Sequence, residues 1–169
     1  MKAVADASSL LSLEYMRVLD EVFDIADIYT TGSVKEELEE IAGFRDEKSS
    51  VAKKILSHIS EGKIKCIDIK GEGYPKNSSL GQCLSLCISA KIPFLLTDDA
   101  DAAHFLSRTA AQKGIKLRMC ASAIVELIHA RKMSSVKAKG KLEELIKKRS
   151  WEGGILEVLA RRYLEEGKW

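Results

Sequence analysis

The sequence contains no apolar run that approaches the roughly 18 residues needed to cross a bilayer as a helix. Its first residues reach an acid, Asp6, too early to form the apolar region of a secretory signal peptide. We therefore expect a cytoplasmic protein without a membrane partner.

The chain also lacks a C-x-x-C pair among its cysteines, Cys66, Cys83, Cys87 and Cys120. Cys83 and Cys87 could share a helix face, but a zinc site would need two further ligands nearby, and the histidines lie far away in sequence. We expect these cysteines to be small buried apolar side chains.

A strong net charge is absent as well, since the formal value is only +2. The distribution is less even, because residues 131–149 hold eight Lys or Arg against two acids, Glu143 and Glu144. Such a run is typical of the solvated face of a helix, although it could also contact phosphates.

What is present indicates one globular domain over residues 1–169, with a helical C-terminal extension from about residue 132. Short runs rich in Ile, Val, Leu and Phe alternate with helix-length segments, which is typical of an α/β fold with a mainly parallel sheet covered by helices. The predicted strands are residues 3–5, 28–30, 64–69, 94–97 and 115–119.

Apolar spacing and capping signals predict the helices between and after these strands. Ser33 with Glu36, and Ser79 with Gln82, are predicted to form capping boxes. Residues 71–79 are predicted to be a loop because they contain Gly, Pro and Asn. The predicted helices are residues 9–24, a helix from 33, 48–61, 79–90, 100–113, 121–131, 136–148 and 155–166.

Acidic side chains follow three of the predicted strands. Asp6 ends the first, Glu37 lies on the helix after the second, and Asp98, Asp99 and Asp101 follow the fourth. Ligands of open parallel sheets bind at the carboxyl ends of the strands. Several carboxylates at one edge favour a hard divalent cation, Mg²⁺ or Mn²⁺. Such an ion can activate water and neutralise charge on a phosphodiester, so we predict hydrolysis of a nucleic-acid backbone.

Each acid also has a purely structural interpretation. Asp6 could cap the first helix. Glu37 could be one more exposed acid in an acidic run, and Asp98, Asp99 and Asp101 could complement the positive end of a helix. Their joint placement at three strand ends favours the functional interpretation.

Three short segments carry these acids: residues 4–11, 30–38 and 95–101. In the first, a strand leads to an Asp, a small residue and a hydroxyl. In the second, Val, two variable residues, Glu and Leu follow one another, and in the third, Thr precedes two Asp. Their order and spacing over roughly residues 1–125 resemble the PIN-domain family, small metal-dependent ribonucleases that include many toxins of toxin–antitoxin pairs. The remaining helices resemble the C-terminal tail of one PIN subgroup.

The resemblance implies a three-layer α/β/α fold with a five-stranded sheet, and a Mg²⁺- or Mn²⁺-dependent endoribonuclease acting on RNA. Asp6, Glu37 and Asp99 would be catalytic, and Asp6, Asp98 and Asp99 would hold the metal. An antitoxin protein and a second copy of the chain are the implied protein partners. The implied supporting residues are Ser8, Thr97, Asp101 and Gln82.

One departure from the family pattern concerns the helix before the fourth strand, where PIN proteins usually carry a further acid. Residues 80–87 contain none, and Gln82 or Leu84 takes its place. Gln82 could be a neutral oxygen ligand, although we favour the helix cap. The departure favours an alternative function, a catalytically degenerate PIN-fold module that binds RNA or protein. Another alternative, ribosomal RNA processing, belongs to a PIN group with a zinc ribbon, for which this chain has no cysteine pattern.

Overall fold

The computed structural model describes residues 1–69 and 78–167, whose strands form a single five-stranded sheet. The strand order is β3-β2-β1-β4-β5, and every neighbouring pair is parallel. The predicted α/β fold with a parallel sheet is therefore confirmed. Most of the predicted loop at 71–79 lies outside the described residues. The strands are β1 Lys2–Ala5, β2 Asp27–Thr31, β3 Ile64–Ile67, β4 Phe94–Leu96 and β5 Lys116–Arg118.

Helices cover both faces of the sheet, as a three-layer fold requires. On one face α1 packs against α4 and α7, and on the other α5 contacts β1, β2, β4 and α6. None of the helices in the described ranges is long and apolar enough to span a bilayer. The helices are α1 Ala7–Tyr15, α2 Leu19–Phe23, α3 Gly32–Ala42, α4 Glu47–Ser60, α5 Ser79–Ala90, α6 Ala100–Gln112, α7 Cys120–His129, α8 Ser135–Lys148 and α9 Ile155–Glu166.

The central strand β1 lies at the middle of the core. Ala3, Val4 and Ala5 are completely buried, as expected for a parallel strand covered on both faces. Leu142 of α8 and Ala160 of α9 belong to the same cluster of buried side chains. The C-terminal helices are thus packed onto the core that positions β1.

The predicted helix over residues 9–24 is wrong, because the chain forms two helices there. Arg17 adopts a left-handed conformation with φ 53° and separates α1 from α2. Lys141 of α8 donates a hydrogen bond of 2.5 Å to the carbonyl oxygen of Met16. The break is therefore supported by a contact from a distant part of the chain.

The two predicted capping boxes are also wrong. Thr31 is the N-cap residue of α3, and the Ser33 hydroxyl lies 3.0 Å from the Thr31 hydroxyl instead. Ser78, not Ser79, caps α5, accepting a hydrogen bond from the Gly81 amide. Capping of α3 therefore gives no reason to prefer Glu37 over its neighbour Glu36, and the choice of Glu37 depends on its position in the fold.

Candidate acidic site at the carboxyl edge of the sheet

The order in which strands are added to the sheet switches sides between β1 and β4. From β1 the chain proceeds to β2 and β3 on one side, then returns to place β4 and β5 on the other. Asp6 directly follows β1, and Thr97 directly follows β4. Both residues therefore lie at the topological switch point, where open α/β sheets bind their ligands.

Asp6 is nearly saturated with hydrogen bonds. Its Oδ1 accepts from the Ser9 amide at 2.8 Å, and its Oδ2 accepts from the Thr97 hydroxyl at 2.6 Å. The Ser8 hydroxyl lies 2.9 Å from both carboxylate oxygens and itself accepts a hydrogen bond from the Asp98 amide. Asp6 is the N-cap residue of α1, so the predicted helix cap is confirmed, and the predicted supporting residues Ser8 and Thr97 both contact it.

Burial changes the acidity of Asp6. Only 5% of the residue is exposed, and this desolvation raises its pKa from 3.8 to about 6. Hydrogen bonds from Thr97 and Ser9 act in the opposite direction, while the charge of Asp98 adds to the increase. The ionised carboxylate is therefore costly in the metal-free protein, and a nearby cation would stabilise it.

The two acids after Thr97 diverge. Asp98 is buried, and its Oδ1 accepts a hydrogen bond of 2.9 Å from the Cys120 amide at the start of α7. Asp99 is exposed and caps α6, its Oδ1 accepting from the Ala102 amide at 2.9 Å. The contacts of Asp98 thus support a structural role, whereas Asp99 is accessible to a ligand.

Glu37 approaches the edge from α3 and meets the start of α5. Its Oε2 accepts a hydrogen bond of 3.1 Å from the Ser79 hydroxyl, and the side chain is exposed. The buried thiol of Cys83 is within electrostatic reach of both acids. Its pKa is raised well above its usual value, first by burial and then by the charge of Asp6, with a smaller effect of Glu37. Cys83 Sγ also lies 3.8 Å from the Thr31 hydroxyl.

Cys83 lies between Gln82 and Leu84 in the chain, the two residues expected at the place of the missing acid, and Leu84 is buried in the core. Cys83, Cys87 and Cys120 are buried free thiols and Cys66 is a partly buried one, as predicted for apolar cysteines.

The acids do not converge into a metal cage. Across residues 1–69 and 78–167, no group of three or more His, Cys, Asp or Glu side chains is arranged to hold a metal ion. Asp101 lies in the first turn of α6, beyond the Asp99 cap. The donor chemistry still fits a hard cation, because Asp6, Asp99 and Glu37 offer carboxylate oxygens, which Mg²⁺ and Mn²⁺ prefer.

Asp68 is a further acid at this edge, and it is not among the predicted site residues. It directly follows β3, and its Oδ1 lies 2.6 Å from the position that a Cβ atom on Gly32 would take, so it packs against the start of α3. The predicted strand extended to Ile69 and placed Asp68 within it. A strand ending at Ile67 would have indicated an acid at a fourth strand end of the same edge.

Part of the basic run of residues 131–149 makes contacts within the protein. Three of its lysines form ion pairs with acids of α2, α4 and the turn after α2, so they help to hold the C-terminal helices against the N-terminal half of the chain. The pairs are Lys132 with Asp24, Lys137 with Glu21 and Lys148 with Glu47.

No known protein family has a profile that matches this chain, and no curated protein matches its sequence significantly. The resemblance to PIN domains therefore depends on the three short motifs alone. In the structure, these motifs supply β1 with the start of α1, the end of β2 with the start of α3, and β4 with the start of α6.

Proposed function

We propose that this protein is an endoribonuclease that requires Mg²⁺ or Mn²⁺, with Asp6, Glu37 and Asp99 as its catalytic carboxylates. The observation that carries the proposal is the position of Asp6 and Thr97 at the switch point of the sheet. Helices α1, α3, α6 and α7 all begin at this edge, directly after strands. Their positive ends favour an anionic ligand such as a phosphate group.

Asp6 and Asp99 would hold the cation, with Glu37 beside them. When bound, the ion would lower the pKa of a water molecule and neutralise charge that develops on the phosphodiester. The proposal leaves Asp98 out of the ligand set, because its carboxylate is buried against α7.

The side chains around the acids hold them in place. Ser8, Ser9 and Thr97 fix both oxygens of Asp6, so this carboxylate needs little reorganisation when a ligand binds. Glu37 is exposed and has Oε2 bound by Ser79, so its Oε1 is suited to accept the proton of the attacking water.

Cleavage of a labelled single-stranded RNA, with Mn²⁺ or Mg²⁺ and with a chelator, tests the proposal. We expect cleavage only with the ions, and a loss of about 100-fold or more in Asp6→Asn. Asp46→Asn is the matched control, since Asp46 caps α4 through the Ser49 amide as Asp6 caps α1 through the Ser9 amide. Metal-independent cleavage, or full activity of Asp6→Asn, would contradict the proposal.

A second candidate is a degenerate PIN-fold module that binds RNA or protein without cutting. The observation that favours it is the neutral Cys83 near the place of the missing acid, together with acids that do not converge in the described residues. Calorimetric titration with Mn²⁺ separates the two candidates. Binding that is lost in Asp99→Asn supports the nuclease, whereas RNA binding without any Mn²⁺ binding supports the module.

The remaining expectations depend on the family resemblance. An antitoxin partner, a homodimer and a cytoplasmic location stay predictions. Light scattering coupled to size-exclusion chromatography measures whether the chain forms a dimer in solution.

A further inference from the structure

A groove of about 430 Å³ lies beside the acidic site. One end is formed by Thr97, Asp98 and Asp99, the residues that follow β4. The groove therefore opens directly onto the edge at which a phosphodiester would lie in the proposed function.

The walls of the groove are apolar. Leu117 and Met119 line it from the end of β5, and Leu156 and Leu159 line it from α9. Ile155, at the start of α9, also lines it and is 61% exposed. An exposed β-branched side chain beside such walls leaves apolar surface available to a ligand.

Polar groups converge on this apolar groove from one face of α6. His104 and Ser107 are three residues apart, both exposed, and both line the groove. The Ser107 hydroxyl donates a hydrogen bond of 2.7 Å to the carbonyl oxygen of His104, which leaves its oxygen lone pairs as acceptors. The imidazole offers a flat ring together with a donor and an acceptor, the combination that recognises unstacked bases of RNA.

The size of the groove selects among ligands. Its volume is at the lower end of small-molecule sites, which span about 300–1,000 Å³. Twelve residues line it, fewer than the roughly 20–30 residues that each partner contributes to a specific protein interface. One nucleoside fits this description better than a helix of a partner protein does.

We propose that this groove binds one nucleobase of a single-stranded RNA, next to the phosphodiester at Asp6 and Asp99. The role in cleavage rests on the proposed function, whereas base binding itself does not. The apolar walls would cover the faces of the base, and His104 and Ser107 would contact its polar edge. Base preference of this protein therefore originates from α6 and α9.

Binding of short labelled single-stranded RNAs, measured by fluorescence anisotropy with a chelator present, tests the inference without cleavage. Ala103 lines the groove, and Ala103→Phe fills it. We expect this variant to bind at least about tenfold more weakly than the wild type. Val136→Phe is the control, because Val136 is 85% exposed on α8 and lies outside the groove.

A second variant tests the polar contacts. His104 is exposed, so His104→Ala is expected to fold normally, which thermal melting checks. We expect it to change the relative affinities for oligoadenylate, oligocytidylate and oligouridylate by about three- to tenfold. Equal losses for all three RNAs would contradict base recognition by His104.

The inference is overturned if the wild-type protein binds no RNA, or if Ala103→Phe binds RNA as tightly as the wild type does. It is also overturned if inorganic phosphate competes with RNA as well as a nucleoside monophosphate does. A change of oligomeric state in Ala103→Phe, absent in Val136→Phe, would instead assign the groove to an interface between copies of the chain.

Cleavage assays with Mn²⁺ separate this inference from the proposed function. If Ala103→Phe weakens RNA binding but the wild type cleaves no RNA, base binding in the groove is supported and the nuclease function is rejected. If the wild type cleaves RNA and Ala103→Phe cleaves it with the same base preference, the nuclease function is supported and base binding in the groove is rejected.

Discussion

The acidic edge of the sheet has a buried half, formed by Asp6, Thr97 and Asp98, and an exposed half, formed by Glu37 and Asp99. Residues of the buried half are at most 5% exposed, and fixed donors hold both oxygens of Asp6 and Oδ1 of Asp98. Each acid of the exposed half accepts one hydrogen bond from the described residues. Under the proposed function, Asp6 would be a preformed anchor, and the exposed acids would turn towards it when a cation binds.

The largest expected effect concerns the buried half, and it is the change of the free energy of unfolding with pH. The pKa of Asp6 in the folded protein, about 6, exceeds the usual 3.8, so the unfolded chain ionises first. The stability that Asp6 provides is therefore complete below about pH 4, decreases as pH rises to 6 and is constant above that. The total is about 3 kcal/mol, at about 1.4 kcal/mol per pKa unit.

Urea unfolding of metal-free protein between about pH 4 and 7 measures this slope. The stability of Asp6→Asn should depend less on pH than that of the wild type. Asp98, whose pKa is also raised by burial, contributes with the same sign. Equal slopes in the wild type and in Asp6→Asn would show that Asp6 is not desolvated.

The next effect compares two neighbours, Asp98 and Asp99. We expect Asp99→Asn to reduce Mn²⁺-dependent cleavage by about 10- to 100-fold, because it removes a ligand from the exposed half. Asp98→Asn should change the rate of this cleavage by less than about threefold, since the side-chain oxygen of the new asparagine can still accept the hydrogen bond from the Cys120 amide. Equal losses in the two variants would break the distinction between the two halves.

A gain of function is expected when an acid replaces Cys83. Cys83→Asp should tighten Mn²⁺ binding about tenfold in calorimetry, because it adds a carboxylate within electrostatic reach of Asp6 and Glu37. It should also destabilise the metal-free protein, since Cys83 is completely buried. Gln82→Glu is the control, and equal tightening in both variants would mean that Cys83 does not occupy the place of the missing acid.

The smallest effect concerns Asp68, which is exposed and contacts the start of α3. Gly32→Ala would place its Cβ 2.6 Å from Asp68 Oδ1. Because this is the end of a side chain that can move, we expect a loss of less than about 1 kcal/mol in unfolding experiments. A loss above about 2 kcal/mol would show that Asp68 is rigidly held and belongs with the buried half.

The sequence alone predicted the strands and the position of Asp6, because both depend on local signals. Buried parallel strands appear as short apolar runs, and an acid directly after such a run lies at the edge of the sheet. The helix predicted over residues 155–166 is confirmed as α9, since its apolar spacing is regular.

Other features depend on contacts that no local signal records. Arg17 is not a residue type that favours positive φ, and apolar spacing continues across it. Helix α5 buries Leu80, Cys83, Leu84, Leu86 and Cys87, so its apolar positions surround much of the axis. The packing of α5 against the sheet decides which of these side chains comes near Asp6, so the apolar spacing of the sequence could not single out Cys83.

The hydrogen bond from Thr97 to Asp6 joins residues 91 apart in the chain, and the pairing of β1 with β4 is equally distant. Contacts of such long range form slowly, because a long stretch of chain must be ordered before they contribute stability. During synthesis the partner of Asp6 is made long after Asp6 itself. A nascent chain that lacks β4 therefore has no assembled site, and the proposed activity begins only when the second half of the sheet has folded against the first.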